Sequence, residues 1–489
     1  MTKQYTFNEI LSKNIKDPLQ KLMIIDGNIN VSGDDENLEQ MAKNSIIDNI
    51  TGEEAVFDLD LFTTKTSRNE TNHFHIYVDD NGNYKVVDSN FVADELTLEE
   101  YGSLIHEYVH YIQHIQTLFG VNRTRLYTRL YIEYRKYLIT HKKVEMPLNI
   151  DVVAPSAIPI FAKELDKEGY QHYDYGIDEV EIRDTDIEEA RTKCHSVRVG
   201  IYDFELNQAW DGEKGYHFGY WAIIEGMAHN IQLLIDPTVE NRHLSVPYKV
   251  VDRICEKLYP EIFNNKLLMI SLCLVSLLYD NPGVGFFDTA NHIVEFHITD
   301  GRQLYKESLL TIINFRGKSM PVKDMLKIMQ DELLNQLKML IGQELDYYPK
   351  VFNQTREELT TGESTLLNIL YDGLINDKKT FNDILLRVYG FPFIESHESS
   401  LLQNNPDTNK PYLEVARLAS WELLYKRLVD KSTKCRRYEL CRGNEKHEAS
   451  DAFSPECKDA QWLKDKDCIL SRGFKLFGSH VVEWEQRRE

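Results

Sequence analysis

The sequence predicts an α+β fold that is predominantly helical, with a small β-sheet or hairpin near its start and an extended helical C-terminal region. Three observations carry this prediction. Alternating apolar residues flank a turn within residues 74–88, a helical repeat of apolar residues begins at Leu98, and helical patterns fill most of residues 245–430. At 489 residues the chain is too long for one ordinary core. We therefore expect two or three structural units. The patterns along the chain divide it into four regions, with the bounds 1–95, 96–240, 241–430 and 431–489.

The N-terminal region, residues 1–95, carries the predicted β-hairpin. The letters FHIYV, DDNGN and YKVVD follow one another from residue 74, and Asn81 and Gly82 occupy the turn. An Asn-Gly pair between two alternating runs is a strong hairpin signal. The first twenty residues lack the uninterrupted apolar segment of a secretory signal peptide. We therefore expect a cytoplasmic protein.

The composition is typical of a soluble, globular protein and disfavours some partners. Hydrophobic residues make up 42% of the chain, charged residues make up 27%, and the formal net charge is -22. Because so acidic a surface repels phosphate backbones, we expect no nucleic-acid partner. The longest apolar run, LLMISLCLVSLLY at residues 267–279, is shorter than the roughly 20 residues that cross a bilayer. We interpret it as a buried core helix and expect no membrane span.

Residues 96–240 open with an amphipathic helix, predicted from Leu98 to Phe119. Thr97 and Glu100 form a capping-box pattern at its start. One side of this helix collects polar or small residues, which are Gly102, Ser103, His106, Glu107, His110, Gln113, His114 and Thr117. The other side collects Ile105, Tyr108, Val109, Ile112, Ile115 and Phe119. Since such a polar stripe is typical of a helix face in water, a solvated face is the alternative to a chemical site.

The polar side contains the letters HEYVH, an HExxH motif formed by His106, Glu107 and His110. Histidines four residues apart are about 6 Å apart along a helix axis and can direct ring nitrogens to one metal ion. Glu107 lies on the adjoining edge, close to such an ion without facing it, where it can act as general base toward water. The motif therefore predicts a catalytic metal centre.

This motif resembles that of the zincin metallopeptidases, in which two HExxH histidines bind zinc and the glutamate activates water. The resemblance covers the motif helix and one later helix, within about residues 74–240. It implies a zincin-like catalytic core with a catalytic Zn²⁺ and with Glu107 as the catalytic residue. The extended metzincin pattern is excluded, because it requires glycine and histidine where this chain has Gln113 and Gln116.

A catalytic zinc usually takes three protein ligands, and Glu225 is the expected third. It lies in YWAIIEGMAHNIQLLID, a second predicted helix that Pro237 ends. The arrangement resembles that of the gluzincins, in which a glutamate from a second helix completes the site. Ala222 and Gly226 flank Glu225, and their small size would let this helix approach the first closely.

Three other residues are weaker candidates for this centre. His229 follows Glu225 where gluzincins carry an aspartate, so it either supports a zinc ligand or replaces Glu225 as the third one. Another acid, such as Glu133, could also complete the site. His114 lies roughly 12 Å along the helix axis from His106, too far to share an ion. We interpret it as a helix-surface residue or as one that supports a ligand.

Catalysis at such a centre also needs a hydrogen-bond donor and a place for the substrate. Tyr216, His217 and Tyr220 precede the second helix, but we interpret them as packing residues rather than as donors that stabilise the transition state. The strand FHIYV is either an ordinary hairpin strand or the edge along which an extended substrate pairs.

The C-terminal region, residues 431–489, concentrates four of the seven cysteines, which are Cys435, Cys441, Cys457 and Cys468. Their spacing lacks the C-x2-C pairs of regular zinc modules. The sequence leaves open whether they are thiols without metal or bind a structural Zn²⁺ or an iron-sulfur cluster, with His447 as a substitute ligand. The scattered Cys194, Cys255 and Cys273 are expected to be structural.

The sequence thus predicts a zinc-dependent metallopeptidase that hydrolyses a peptide bond in a protein or peptide substrate. A carboxylate-bridged di-iron protein is disfavoured, because that architecture needs an ExxH motif on each of two helices. The other alternative is a non-catalytic, zinc-containing helical interaction or regulatory protein that binds a regulatory partner. It differs from the peptidase in having no requirement for Glu107.

Overall fold

The computed structural model describes four short segments before residue 97 and most of the chain from residue 97 to residue 486. The four segments are residues 55–58, 63–66, 77–78 and 84–85. From residue 97 to residue 486, the residues left outside the description are 147, 149, 156–165, 170–176, 178, 204–207, 211–215, 242, 244, 343, 391–392, 396–399, 402–403, 406–409, 412, 430–434, 436–437, 443–452, 466–467, 469, 472–473 and 475–482. The predicted turn residues Asn81 and Gly82 and the candidate ligand His447 lie outside the described residues.

The segments before residue 97 are all strands. They are β1 (Ala55–Asp58), β2 (Thr63–Thr66), β3 (Tyr77–Val78) and β4 (Tyr84–Lys85). β1 pairs antiparallel with β2. β3 pairs antiparallel with β4, with Val78 opposite Tyr84, which confirms the predicted hairpin over these residues.

Helix α1 (Leu98–Gln116) carries the HExxH motif. Its start confirms the predicted capping box. The Oγ1 atom of Thr97 accepts a hydrogen bond from the backbone N–H of Glu100 at 3.2 Å, and the Glu100 carboxylate accepts one from the backbone N–H of Thr97 at 2.6 Å. The two bonds fix where the helix begins.

The end of α1 differs from the predicted end at Phe119. Thr117 has extended backbone angles, and its hydroxyl oxygen accepts a hydrogen bond from the backbone N–H of Gly120 at 3.1 Å. It thereby caps a second helix, α2 (Leu118–Thr140). Because Thr is a common N-cap, the capping signal was in the sequence, but the continuing apolar pattern hid it.

The segment between α2 and the second predicted motif helix mixes strands with short helices. They are β5 (Lys143–Met146), α3 (Ile150–Val153), β6 (Glu179–Glu181), α4 (Asp184–Lys193), β7 (Val197–Asp203), β8 (Gln208–Trp210) and β9 (Tyr216–Phe218). β7 pairs antiparallel with β6, β8 and β9. Helix α5 (Tyr220–Ile235) follows, and a 3₁₀ helix begins at Pro237. The second predicted helix and its end at this proline are confirmed.

The chain after residue 245 is mainly helical, as predicted. Its helices are α6 (Val250–Leu258), α7 (Pro260–Phe263), α8 (Lys266–Ser276), α9 (Pro282–Phe296), α10 (Gly301–Leu310), α11 (Val322–Ile341), α12 (Tyr347–Thr361), α13 (Thr365–Tyr371), α14 (Lys378–Thr380), α15 (Leu386–Tyr389), α16 (Leu413–Val429) and α17 (Tyr438–Arg442). The apolar run at residues 267–279 forms most of α8 and is buried along α8 from Leu268 onward, which confirms the predicted core helix. Within the described residues, no helix combines the length and apolar character needed to cross a membrane.

Strands also occur in this helical region, and the sequence did not predict them. They are β10 (Ile312–Phe315), β11 (Lys318–Pro321), β12 (Phe393–Glu395), β13 (Ser400–Leu401), β14 (Asn404–Asn405), β15 (Lys410–Pro411) and β16 (Glu483–Gln486). β10 and β11 form a hairpin whose turn residues Arg316 and Gly317 have positive φ angles of 53° and 78°. The Arg-Gly pair was its only local signal.

Two of these strands join distant parts of the chain. β12 pairs in parallel with β2, so that the sheet order is β1-β2-β12-β13. β16 pairs in parallel with β5, which follows α2. The hydrophobic core is also continuous, and it extends from Tyr101 of α1 to Phe474 of the tail. The predicted boundaries at 240/241 and 430/431 remain predictions, and the core crosses both.

Candidate metal centre

Helices α1 and α5 pack against each other in antiparallel orientation. Near the start of α1, a Cβ atom added to Gly102 would lie 3.3 Å from the Cγ atom of Gln232. Near its end, the side chain of Gln113 reaches the backbone oxygen of Ile224. Gly102 therefore permits the close approach of the two helices. Gly226, to which the sequence analysis gave this role, instead packs against Val251 of α6.

The centre of this helix pair brings His106, His110 and Glu225 together. The Oε2 atom of Glu225 lies 3.2 Å from Nε2 of His106 and 3.4 Å from Nε2 of His110. One ligand atom from each residue lies within 4.8 Å of the other two. Tetrahedral zinc with bonds of about 2.0–2.1 Å places neighbouring ligand atoms about 3.3 Å apart. Both the donor types and their separations therefore fit a zinc ion.

The polar side of α1 is not in water. His106, Glu107 and His110 are 4%, 6% and 3% exposed, and Gln113 and His114 are each 1% exposed. The alternative of a solvated helix face is therefore wrong, because α5 covers this side. A buried set of charged groups must instead be satisfied by one another or by an ion.

Gln113 holds the ring of His110 in place. The Oε1 atom of Gln113 lies 2.9 Å from Nδ1 of His110, and its amide nitrogen donates to the backbone oxygen of Ile224 at 3.2 Å and contacts the sulfur of Met227. Because the amide nitrogen is committed to α5, Oε1 accepts the Nδ1–H proton of His110. Nε2 of His110 is then the ring nitrogen left to act as a ligand beside Glu225 when a metal ion is bound and the imidazole is neutral. In the sequence, Gln113 only excludes the metzincin pattern, and no local signal indicates this contact.

The charges of the three groups are strongly coupled. Burial raises the pKa of Glu225, but His110 and His106 outweigh burial and hold that pKa well below its usual range. Burial lowers the pKa of His110, but the charges of Glu225 and Glu107 outweigh it and raise the pKa to about 9. The pKa of His106 is lowered by its burial. The geometry thus favours an ionised carboxylate beside one neutral and one protonated imidazole.

Glu107 lies beside the three candidate ligands but is not one of them. Among the described residues, the ligand atoms that lie close enough to share one metal ion belong to His106, His110 and Glu225. Glu107 is buried, and its negative charge contributes to the raised pKa of His110. Its carboxylate is therefore close enough to influence His110 without being one of the three candidate ligands.

A second group of polar rings packs around His106. The ring centroids of His243 and Tyr248 lie 5.7 Å and 5.9 Å from that of His106. His229 is fully buried, and its Nδ1 atom lies 2.9 Å from Nδ1 of His243. The Nε2 atom of His229 is 3.7 Å from a carboxylate oxygen of Glu240. His229 thus contacts His243 and Glu240 rather than meeting the ligand atoms of the triad.

The other candidate residues lie elsewhere. His114 is buried between Thr124 and the hydroxyl group of Tyr220, which lies 2.9 Å from its Nε2 atom, so the interpretation as a surface residue is wrong. Glu133 is partly exposed and pairs with Lys136 at 2.8 Å. His217 contacts Ser196, and burial lowers the pKa of His217 to about 4.

The residues of the C-terminal region converge on a separate cavity. Cys435, Cys441, Cys457 and Cys468 all line it. Burial raises the pKa of Cys468, but hydrogen bonds from Ser471 and Lys464 outweigh burial and lower it below the usual value. The structure therefore brings together the four cysteines that the sequence analysis grouped by their spacing.

Searches of protein-family models, of curated proteins and of solved structures found no match to this chain.

Proposed function

We propose that this chain is a zinc-dependent metallopeptidase that hydrolyses a peptide bond in a protein or peptide substrate. The observation that carries the proposal is the meeting of His106, His110 and Glu225 at the centre of the α1 and α5 pair, with Glu107 beside them. Two imidazoles and one carboxylate are a common ligand set of catalytic zinc. Three protein ligands leave the fourth position of a tetrahedral zinc ion open for water or substrate.

Each residue has a defined role in this proposal. His106, His110 and Glu225 would hold the zinc, and Gln113 keeps the Nε2 atom of His110 available by accepting the proton of Nδ1. Zinc, when bound, polarises a carbonyl group and lowers the pKa of water. Glu107 takes the proton from the attacking water and returns it to the leaving amine.

Transition-state stabilisation is assigned to the ring cluster beside His106. A carbonyl oxygen that gains negative charge needs hydrogen-bond donors in a site without bulk water. Tyr248 is 5% exposed, and both Tyr248 and His243 carry such donors next to His106. His229 lies 2.9 Å from His243 and supports its orientation.

The substrate class follows from the strand next to α1. β1 packs against α1 and forms one end of the sheet order β1-β2-β12-β13. An extended peptide can add to such an edge through backbone hydrogen bonds. The proposal therefore assigns this role to β1 rather than to the strand FHIYV, which pairs with β4 over its described residues.

A cleavage screen tests the proposal directly. Full-length protein loaded with zinc is incubated with a whole-cell lysate, and newly formed N-termini are labelled and identified by mass spectrometry. New termini should appear, should disappear when the zinc is chelated, and should return when zinc is added back. If zinc-loaded protein creates no new termini in the lysate or in a peptide library, the peptidase proposal is wrong.

A further inference from the structure

The cysteine cavity of the C-terminal region is independent of the candidate catalytic centre. Cys435, Cys441, Cys457 and Cys468 span 34 residues of sequence and nevertheless line one cavity. Within the described part of the tail, no carboxylate or imidazole lines it. Four thiols around one space select soft metals, which in proteins are chiefly zinc, copper(I) and iron-sulfur clusters.

The arrangement of the sulfur atoms argues against a single zinc ion. Tetrahedral zinc with bonds of about 2.3 Å brings its cysteine sulfurs to within about 3.8 Å of one another. Among the described cysteines, no three sulfurs lie within 4.8 Å of one another. A four-iron cluster places its own irons and sulfides between the cysteines, and its cysteine sulfurs are therefore spaced more widely.

The space between the cysteines also exceeds the need of one small ion. The cavity has a volume of about 30 Å³, whereas a single water needs roughly 10–15 Å³. Four thiols line this space, together with Lys464, Gln461 and Ser471. Such a cavity suits a compact cluster whose only protein ligands are sulfur.

Charged and polar groups around the cavity are placed to stabilise bound thiolates. Lys464 is only 4% exposed, and its ammonium group donates hydrogen bonds to Cys457 and Cys468. The backbone N–H of Ser471 donates to the sulfur of Cys468 at 3.4 Å. A buried ammonium group needs negative charge nearby, and hydrogen bonds to cysteine sulfur are typical surroundings of iron-sulfur clusters.

The cavity is also connected to the helical body. The backbone oxygen of Cys457 accepts hydrogen bonds from the backbone N–H of Cys435 at 3.0 Å and from the side chain of Gln461 at 2.9 Å. Arg427 of α16 donates to Gln461 at 2.7 Å. A group bound here would therefore stabilise the part of the tail that contacts α16.

We propose that Cys435, Cys441, Cys457 and Cys468 bind a [4Fe-4S] cluster that stabilises the C-terminal region. The cluster is separate from the zinc centre and does not depend on the proposed peptidase activity. Its role is structural, because its ligands all lie in the tail rather than at the α1 and α5 pair.

The experiment measures metal and sulfide in the full-length protein. Protein is purified without oxygen from iron-supplemented cells, reconstituted with ferrous iron and sulfide, and analysed for iron, acid-labile sulfide and zinc. We expect about four irons and four sulfides per chain, with the Mössbauer spectrum of a [4Fe-4S] cluster. Cys457→Ser and Cys468→Ser should lose most of the iron, whereas Cys194→Ser, outside the cavity, should keep it.

Two further measurements keep the proposal falsifiable if the serine variants do not fold. In the wild type, the four tail cysteines should resist alkylation until the cluster is destroyed by acid, as mass spectrometry can show. His110→Ala should keep its iron, which separates this site from the catalytic centre. Zinc in the tail without sulfide, a disulfide between these cysteines, or wild-type protein that takes up no cluster would each overturn the proposal.

Discussion

Helix α1 lies against a buried carboxylate on each of two sides, and the two carboxylates have opposite proton affinities. On one side, Glu225 of α5 meets His106 and His110, and its pKa is held well below the usual range. On the other side, Glu358 of α12 meets Gln116, and burial raises the pKa of Glu358 to about 7. Two carboxylates that contact the same helix thus differ: Glu225 favours the ionised form, and Glu358 favours the protonated form.

The neighbours account for this difference. The carboxylate of Glu358 accepts hydrogen bonds from the backbone N–H of Thr365 at 2.9 Å, from the hydroxyl group of Tyr389 at 3.0 Å and from the amide of Gln116. All three donors are neutral, so they offset only part of the cost of burying a charge. Metal ligands must be deprotonated. Burial alone therefore does not identify a metal-binding carboxylate, and the two imidazoles distinguish the Glu225 side.

The largest expected effect is a difference in zinc content between variants of the Glu225 site and a variant of Glu358. His106→Ala, His110→Ala and Glu225→Ala each remove one of three zinc ligands, and we expect each variant to lose its zinc after dialysis. Glu358→Gln is the matched control, because it neutralises a buried carboxylate against the same helix and should keep about one zinc per chain. Elemental analysis of the purified proteins measures the difference. Full zinc occupancy in the two histidine variants would contradict the site.

The next effect concerns catalysis without loss of metal. Glu107→Gln keeps the size of the side chain and removes its basicity, so this variant should fold and bind zinc like the wild type. Cleavage of a substrate found in the lysate screen should fall by at least about 100-fold, the lower end of general-base contributions. A steady-state assay with matched zinc content measures this ratio.

Two results of that assay would change the interpretation. If Glu107→Gln cleaves the substrate at the wild-type rate, water activation by this carboxylate is wrong. If neither protein cleaves anything and both bind the same partner equally, the protein is the non-catalytic, zinc-containing interaction protein. An inactive variant that retains substrate would in addition identify that substrate by co-purification.

Local signals predicted much of this centre. The HExxH spacing, the Thr97 capping box and the stop at Pro237 all depend on residues that are neighbours in the chain, and the geometry follows from helix periodicity. The amphipathic pattern also predicted which residues share a side of α1. It did not predict that the polar side is buried, because that depends on where α5 crosses.

The contacts missed by sequence reasoning are those between distant segments. Gln113 acquires its role from Ile224, and Gln116 acquires its role from Glu358, 242 residues away. No local sequence pattern around either glutamine predicts the residue that it contacts. The same reason applies to the parallel pairing of β2 with β12, since the strands are short and more than 300 residues separate them along the chain.

These two glutamines provide a smaller and more specific test. Gln113→Ala removes the group that fixes the ring of His110, and we expect zinc affinity to fall by roughly 10- to 100-fold, as is typical when support of a ligand is lost. Gln116→Ala, three residues further along α1, removes a contact to Glu358 and should leave zinc affinity unchanged. Competition with a fluorescent chelator measures both. Equal losses in the two variants would mean that helix packing, rather than orientation of His110, controls affinity.

The Glu358 side predicts an effect of pH on stability. A protonated Glu358 needs an acceptor for its proton, and the Oε1 atom of Gln116 has no hydrogen-bond partner among the described residues. Rotation of the Gln116 amide by half a turn would present this oxygen to the proton. Glu358→Gln carries an N–H group at that place at every pH and thus resembles the protonated wild type.

The smallest expected effect follows from the sign of this pKa shift. The pKa of Glu358 is about 7 in the folded protein against an ordinary value of 4.5, so between these pH values the folded state holds more protons than the unfolded state. Wild-type stability therefore falls as pH rises from about 4.5 to about 7, by at most about 3 kcal/mol from this group.

Glu358→Gln has no group that ionises at this place, so its stability does not fall in this way. The difference between its urea midpoint of unfolding and that of the wild type should therefore increase from pH 5 to pH 8. Comparing urea unfolding of the two proteins at each pH, with zinc chelated, cancels the contributions of Glu225 and His110. A difference that stays constant with pH would show that Glu358 is ionised throughout this range, and the contrast with Glu225 would then disappear.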